Sequence, residues 1–140
     1  KQSLMLSLRM SAKPESRLWN ALRDGLTDIH WTRIESWASP GVPDVNGCAE
    51  FGEFWIELKV IKNNRIKLSP HQIAWHTLRT RHGGRSYILA REAARTPLIL
   101  FSGQQAKELH DKKIGEISPM ALIEHPYDWP RLRRALEKGR

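Results

Sequence analysis

Residues Gly41–Lys59 read GVPDVNGCAEFGEFWIELK, and this stretch decides the fold. From Phe54 onward, apolar residues alternate with Glu57 and Lys59. This alternation predicts a β-strand with one face in the core and its charges on the other. An acid and an amine on a strand that is otherwise apolar are costly to bury without a partner. The strand therefore requires a polar partner nearby.

The segment before the strand supplies such a partner. Asn46-Gly47 and Phe51-Gly52 are turn sequences, and if they reverse the chain, Asp44 lies beside Glu57 on a neighbouring strand. Two carboxylates so placed can share a divalent cation such as Mg²⁺, which takes oxygen ligands and keeps waters. The alternative stays open at this point, since Glu-x-Lys is common as an exposed ion pair and Pro-Asp is a frequent turn sequence.

The positive charge of the chain is unevenly distributed. The formal net charge is +8. Residues 1–58 carry six Lys or Arg and eight acids, residues 59–95 carry nine and one, and residues 96–140 carry eight and six. The excess thus follows the Glu-x-Lys strand, which is typical of a surface that binds a phosphate backbone. A basic face that only aids solubility does not account for this placement.

Length and composition limit the class of protein. A chain of 140 residues with six Trp predicts one folded domain. The single cysteine, Cys48, excludes an internal disulfide and a cysteine-based zinc site. No apolar run reaches membrane-spanning length. We expect an intracellular, cytoplasmic protein whose residues 1–12 form a leader or a first strand.

A first helix is predicted from Pro14 to about Leu26, because proline suits the first turn and apolar residues then recur at helical spacing. Glu15 lies on the apolar stripe of this helix. An acid in the first turn ordinarily stabilises the helix through its dipole, but an inward acid would approach the same cation as Asp44 and Glu57. The spacing alone favours the first interpretation.

The clearest helix begins at Ser69-Pro70 and ends before Gly83-Gly84. Ser69 can cap it, Pro70 fits its first turn, and Gln72 completes a capping box. Capping is a sufficient reason for Gln72, and a functional role would be additional.

Five cations of the basic segment are candidate phosphate contacts. Lys62, Arg65 and Lys67 lie in the loop directly after the Glu-x-Lys strand, and Arg79 and Arg81 lie on the following helix. Their position predicts binding to a nucleic-acid backbone.

The predicted order of elements is helix, three strands, helix, two strands, helix, which is typical of an α/β domain with a mixed central β-sheet flanked by helices. The remaining predicted elements are strands Ile29–Ser36, Ser86–Ala90 and Pro97–Phe101, a short strand at Asp44, a long strand to about Ile61, and helices Gln104–Asp111 and Leu132–Lys138.

This arrangement resembles the PD-(D/E)XK nuclease superfamily, and within it the VRR-NUC (virus-type replication-repair nuclease) domains; archaeal Holliday junction resolvases resemble it next. The matching pieces, in chain order, are Glu15 in a first helix, Gly41-x-Pro43-Asp44, Glu57-x-Lys59, and a helix that opens with Gln72 and then Trp75. The resemblance covers about residues 13–91 and implies a restriction-endonuclease-like core within a single domain, 13–140. Residues 96–140 are an extension that the motifs do not cover.

The resemblance also implies roles for individual residues. Asp44 and Glu57 match the metal-binding carboxylates, and the main-chain carbonyl of Leu58 matches the usual third ligand. Lys59 matches the catalytic lysine, which orients or activates the attacking water. Glu15 matches an additional metal-binding acid of the first helix.

Gln72 matches the glutamine that lines the site beside the lysine. The implied activity is a Mg²⁺-dependent endonuclease, with Mn²⁺ able to substitute, acting on branched, flap or Holliday junction DNA in phage or bacterial replication and repair, as a homodimer. Two alternatives remain at this stage: a restriction-type endonuclease, and a nucleic-acid-binding module of the same fold that has lost the chemistry.

Overall fold

The computed structural model describes residues 13–35 and 38–139. The leader or first strand expected at residues 1–12 lies outside this part of the chain. Within the described residues, no helix is long and apolar enough to cross a membrane.

The described chain forms one mixed sheet with helices on both faces. Its helices are α1 (Pro14–Gly25), α2 (Pro70–Arg81), α3 (Ala106–Asp111) and α4 (Trp129–Lys138). Its strands are β1 (His30–Arg33), β2 (Val45–Ala49), β3 (Gly52–Val60), β4 (Ser86–Arg91), β5 (Leu98–Ser102) and β6 (Ala121–Ile123). Short 3₁₀ turns follow β5 and α3, at Gly103–Gln105 and Ile114–Glu116.

The six strands lie side by side in chain order, from β1 to β6. Among the described strands, only the central pair, β3 and β4, is parallel, and the other four pairs are antiparallel. The parallel pair needs a crossover connection, and α2 provides it. The predicted α/β fold with a mixed sheet is therefore confirmed.

Two hydrophobic clusters hold the helices on opposite faces of the sheet. Leu18 and Leu22 of α1 and Leu132 and Leu136 of α4 join one cluster with alternate residues of the central strands. The second cluster joins α3 and the first turn of α2 with the strand residues that alternate with those of the first cluster and face the other side of the sheet. Because both faces are covered, every residue of β4 is buried.

The hairpin of β2 and β3 differs from the prediction in one respect. The chain reverses at Glu50 and Phe51, and Asn46-Gly47 is not a turn but part of β2, paired with Trp55 and Phe54. Gly47 is required by packing, because a Cβ atom there would lie 2.4 Å from Cζ of the Phe54 ring.

Further differences include the bounds of two predicted elements and one strand that was not predicted. The predicted strand Ile29–Ser36 is shorter, His30–Arg33, and Ser36 lies outside the described residues. The last helix begins at Trp129, three residues before the predicted Leu132, because Asp128 caps it through the Arg131 N–H. The edge strand β6 was not predicted, since its three residues are too short to show a period.

Candidate active site

Asp44, which directly precedes β2, lies beside Glu57, which is near the end of β3. Val45 pairs with Ile56 in the antiparallel register, so the preceding Asp44 lies opposite Glu57. Asp44 Oδ2 accepts a hydrogen bond of 2.7 Å from the Leu58 main-chain N–H, directly after Glu57. The β2–β3 hairpin thus places the two acids side by side.

Burial makes Glu57 an unusual acid. Its side chain faces α2 rather than solvent, and the residue is only 3% exposed. Burial, followed by the charge of Asp44 and its hydrogen bond, raises the pKa of Glu57 from 4.5 to about 9, although Lys59 acts in the opposite direction. Without a cation, Glu57 therefore keeps its proton at neutral pH.

The acid pair fits a hard divalent cation. In the described part of the chain, no group of three or more His, Cys, Asp and Glu side chains is placed to hold a metal ion. A metal at Asp44 and Glu57 would therefore need a main-chain oxygen, for which Leu58 is the candidate, and water molecules. Oxygen donors with retained water suit Mg²⁺ and Mn²⁺. The proton that burial keeps on Glu57 is also what such a cation would displace.

Gln72 connects the lysine to the acid pair. Lys59 Nζ donates to Gln72 Oε1 at 3.0 Å, and Gln72 Nε2 donates to Glu57 Oε2 at 3.3 Å. The same residue completes the predicted capping box, because its main-chain N–H donates to Ser69 Oγ at 3.1 Å and its Oε1 accepts from the Ser69 N–H at 2.9 Å. Gln72 therefore both caps α2 and contacts the candidate site residues Lys59 and Glu57.

A cleft of about 810 Å³ opens beside this group of polar side chains. Lys59 and Gln72 form part of its wall, and Glu15 lies at its α1 side. Glu15 is exposed, and its charge contributes to the raised pKa of Glu57. Glu15 can therefore stabilise the start of α1 through the helix dipole and also act on the acid pair through its charge.

The cleft is basic. Besides Lys59, its lining contains Lys62 and Lys67 of the predicted loop, together with Lys13 and Arg33. Sequence reasoning missed Lys13 and Arg33, because cations at a helix start and on a short strand carry no signal of their own. Five cations around one exposed acid suit a polyanionic ligand.

The other three predicted phosphate contacts lie elsewhere. Arg65 donates to the Asp111 carbonyl at 3.4 Å, and it does not line the cleft. The Arg79 guanidinium lies over the Trp75 ring at 4.5 Å. Arg79 follows Gln72 by seven residues, which is about 10 Å along the helix, and Arg81 is exposed still farther from the acid pair. Contacts between these residues and a nucleic acid stay a prediction.

His76 is a neighbour of the acid pair that the sequence did not reveal. It is fully buried; its Nδ1 lies 2.8 Å from Ser86 Oγ and its Nε2 lies 4.0 Å from Glu57 Oε1. Burial, and secondly the charge of Lys59, lowers the pKa of His76 to about 4, so the ring is neutral and forms no ion pair. The available signal was its spacing of four residues from Gln72, which places both on one helix face.

Comparisons with known proteins identify the fold. No protein-family model matches the chain, and no curated protein matches its sequence. Among solved structures, the chain is similar to Hjc from Archaeoglobus fulgidus, a Holliday junction resolvase from an archaeal hyperthermophile, with a TM-score of 0.52 and 21% sequence identity. The match covers 64% of this chain and 78% of Hjc. Together with the mixed sheet of six strands in the described residues, this similarity shows that the chain has the restriction-endonuclease-like α/β fold.

Proposed function

We propose that the protein is a metal-dependent endonuclease of the PD-(D/E)XK superfamily, closest to the VRR-NUC domains, that hydrolyses phosphodiester bonds in DNA. The observation that carries this proposal is the placement of Asp44 opposite Glu57, which Gln72 joins to Lys59 at the wall of a basic cleft. Both the acids and the lysine are buried or half-buried, as preorganised polar groups of an active site should be.

In this proposal, Asp44, Glu57 and the Leu58 carbonyl hold Mg²⁺ or Mn²⁺, and Glu15 acts from the cleft side. The bound cation lowers the pKa of its water and offsets the charge of the phosphate. The Leu58 N–H holds the Asp44 carboxylate through its Oδ2, which limits the rotation of that side chain.

Lys59 is proposed as the catalytic lysine. Its ammonium group is held by Gln72 Oε1 at 3.0 Å, and it lines the cleft where a phosphate would lie. From there it can orient the attacking water and stabilise the charge that develops on the phosphate. Gln72 thus positions Lys59 and Glu57 relative to each other.

The proposed substrate is branched DNA, including flaps and four-way junctions, in phage or bacterial replication or repair. Two observations support it: the cations of the cleft suit a phosphate backbone, and the fold is similar to that of a protein described as a Holliday junction resolvase. A homodimer would present two such clefts, as cleavage of two strands requires.

A cleavage panel tests this function. Single-stranded, duplex, flap and four-way junction DNA are incubated with the protein in Mg²⁺, in Mn²⁺ and in EDTA. We expect cleavage only with a metal, and faster cleavage of the branched DNA. Asp44→Asn should abolish cleavage while DNA binding persists, and Lys59→Ala should slow it by roughly 100-fold or more, as expected for loss of a transition-state charge partner.

Glu53→Gln is the matched control, because Glu53 is an exposed acid on the same strand as Glu57. It should cleave like the wild type. Cleavage in EDTA, or near wild-type cleavage by Asp44→Asn in Mg²⁺, would refute the metal assignment. Metal-independent binding of junction DNA without cleavage would indicate the silent binding module instead.

A further inference from the structure

Two buried polar atoms beside the acid pair face each other without a hydrogen bond. Among the described residues, Glu57 Oε1 and His76 Nε2 are the buried side-chain atoms that have no hydrogen-bond partner. They are 4.0 Å apart. Buried polar atoms are nearly always paired, so two such atoms in one place indicate an interaction that is completed in another state of the site.

The Ser86 hydroxyl can donate to Nδ1 of His76 or accept from it, so its orientation is linked to which ring nitrogen carries the hydrogen. The Ser86 hydroxyl lies 2.8 Å from Nδ1 and can donate to it. Nδ1 is then an acceptor, so the hydrogen of the neutral ring lies on Nε2, the atom that faces Glu57. A shift of about 1 Å would bring Nε2–H and Glu57 Oε1 to hydrogen-bond distance.

The surrounding backbone holds this pair in place. Ser86 begins β4 and pairs with Trp55 of β3, so its position is set by the sheet. Gly103 packs directly against the pair: a Cβ atom there would lie 2.1 Å from Ser86 Oγ and 3.0 Å from His76 Nδ1. Only glycine leaves room for this hydrogen bond. The 3₁₀ turn at Gly103 therefore packs against both His76 of α2 and Ser86 of β4.

We propose that His76 is a positioning residue for Glu57, with its Nε2–H holding Glu57 Oε1 when the acid pair binds a metal. This inference rests on the proposed metal-dependent function. The two oxygens of Glu57 are then held by different donors of α2, since Gln72 Nε2 already donates to Oε2 at 3.3 Å. Both donors come from one helix face, so α2 sets the orientation of the carboxylate. Ser86 acts through His76 when its hydroxyl donates to Nδ1, because the ring hydrogen then lies on Nε2.

The first test is spectroscopic. Long-range ¹H–¹⁵N NMR spectra distinguish the two neutral tautomers of histidine, and they are recorded on the wild type and Ser86→Ala with saturating Mg²⁺. We expect the Nε2–H tautomer for His76 in the wild type and a mixture of tautomers in Ser86→Ala. An Nδ1–H tautomer in the Mg²⁺-loaded wild type would overturn the proposal, because Nε2 could then not donate to Glu57.

The second test measures Mn²⁺ binding by calorimetry. His76→Leu removes the donor at similar volume and should weaken Mn²⁺ binding by roughly 10- to 100-fold, the usual effect of losing a partner of a metal ligand. His76→Gln places an amide N–H near the position of Nε2 and should recover most of the affinity. His82→Leu is the control, because His82 is exposed and directly follows α2.

The outcomes separate the inference from the proposed function. If the wild type binds no Mn²⁺, the proposed function fails. If the wild type binds Mn²⁺ and folded His76→Leu binds it equally well, only the role of His76 fails. Near-UV circular dichroism checks the folding of each variant. If His76→Leu does not fold, the tautomer of His76 in the Mg²⁺-loaded wild type decides the case, and an Nδ1–H tautomer overturns the inference.

Discussion

The raised pKa of Glu57 makes a quantitative prediction about the stability of the metal-free protein. A carboxyl group whose pKa rises from 4.5 to about 9 on folding binds its proton more tightly in the folded state. It therefore contributes stability that is fully present below pH 4.5 and is lost as the pH rises through about 9. Glu57→Gln removes this dependence, because the amide mimics the protonated acid at every pH.

The size of the effect follows from the proton count. Between the two pKa values, the folded state holds one proton more than the unfolded state, so the free energy of unfolding falls by about 1.4 kcal/mol per pH unit. From pH 7 to 8.5 the contribution of Glu57 should fall by about 2 kcal/mol, since the slope flattens near pH 9. His76 does not affect this difference, because it is neutral in the folded protein and its titration in the unfolded state is common to the wild type and Glu57→Gln.

The measurement is urea unfolding in EDTA at pH 7, 7.5, 8 and 8.5. We expect the free-energy difference between wild type and Glu57→Gln to shift by about 2 kcal/mol across this window, to the disadvantage of the wild type at high pH. Glu53→Gln, which changes an exposed acid of the same strand, should run parallel to the wild type. Parallel curves for the wild type and Glu57→Gln would refute the raised pKa of Glu57 and the burial argument behind it.

Two other variants test the contacts around the cleft. Gln72→Ala should lower the free energy of unfolding by about 1 kcal/mol and also lower the cleavage rate per folded molecule, whereas Ser69→Ala should lower the free energy of unfolding alone. Unfolding and turnover are measured on the same samples. Equal cleavage rates for the two variants would contradict the bridging role of Gln72. Replacing Lys62 and Lys67 with Gln should weaken DNA binding regardless of sequence. Salt titrations should show the slope of log K against log salt reduced by a little under one unit for each lost contact. The same replacement at Lys112 and Lys113, which are exposed and lie outside the cleft, should leave both the affinity and the slope unchanged.

Elements governed by neighbouring residues were predictable from the sequence. The capping box of Ser69 and Gln72 depends on residues three positions apart, and it is present as predicted. The strand of Glu57 and Lys59 follows from its alternation, because a period of two requires only that one face be buried. The motif order likewise singled out the acids and the lysine that the fold brings together.

Sequence reasoning was wrong where local signals compete with packing. Asn46-Gly47 is a strong turn sequence, yet it lies inside β2, because the Phe54 ring on the paired strand occupies the space over Gly47. The three residues of β6 form a strand because β5 offers an edge to pair with. Neither outcome can be derived from the residues adjacent in sequence.

The sequence by itself determined which residue types are available for a metal site and that they lie on a hairpin, a strand and a helix start. Tertiary structure alone decided that Gln72 contacts both Lys59 and Glu57, and that His76 stands between Glu57 and Ser86. These contacts join α2 to two different strands. Their distances depend on how closely the helix packs on the sheet, and packing is a property of the whole core that no spacing within the chain records.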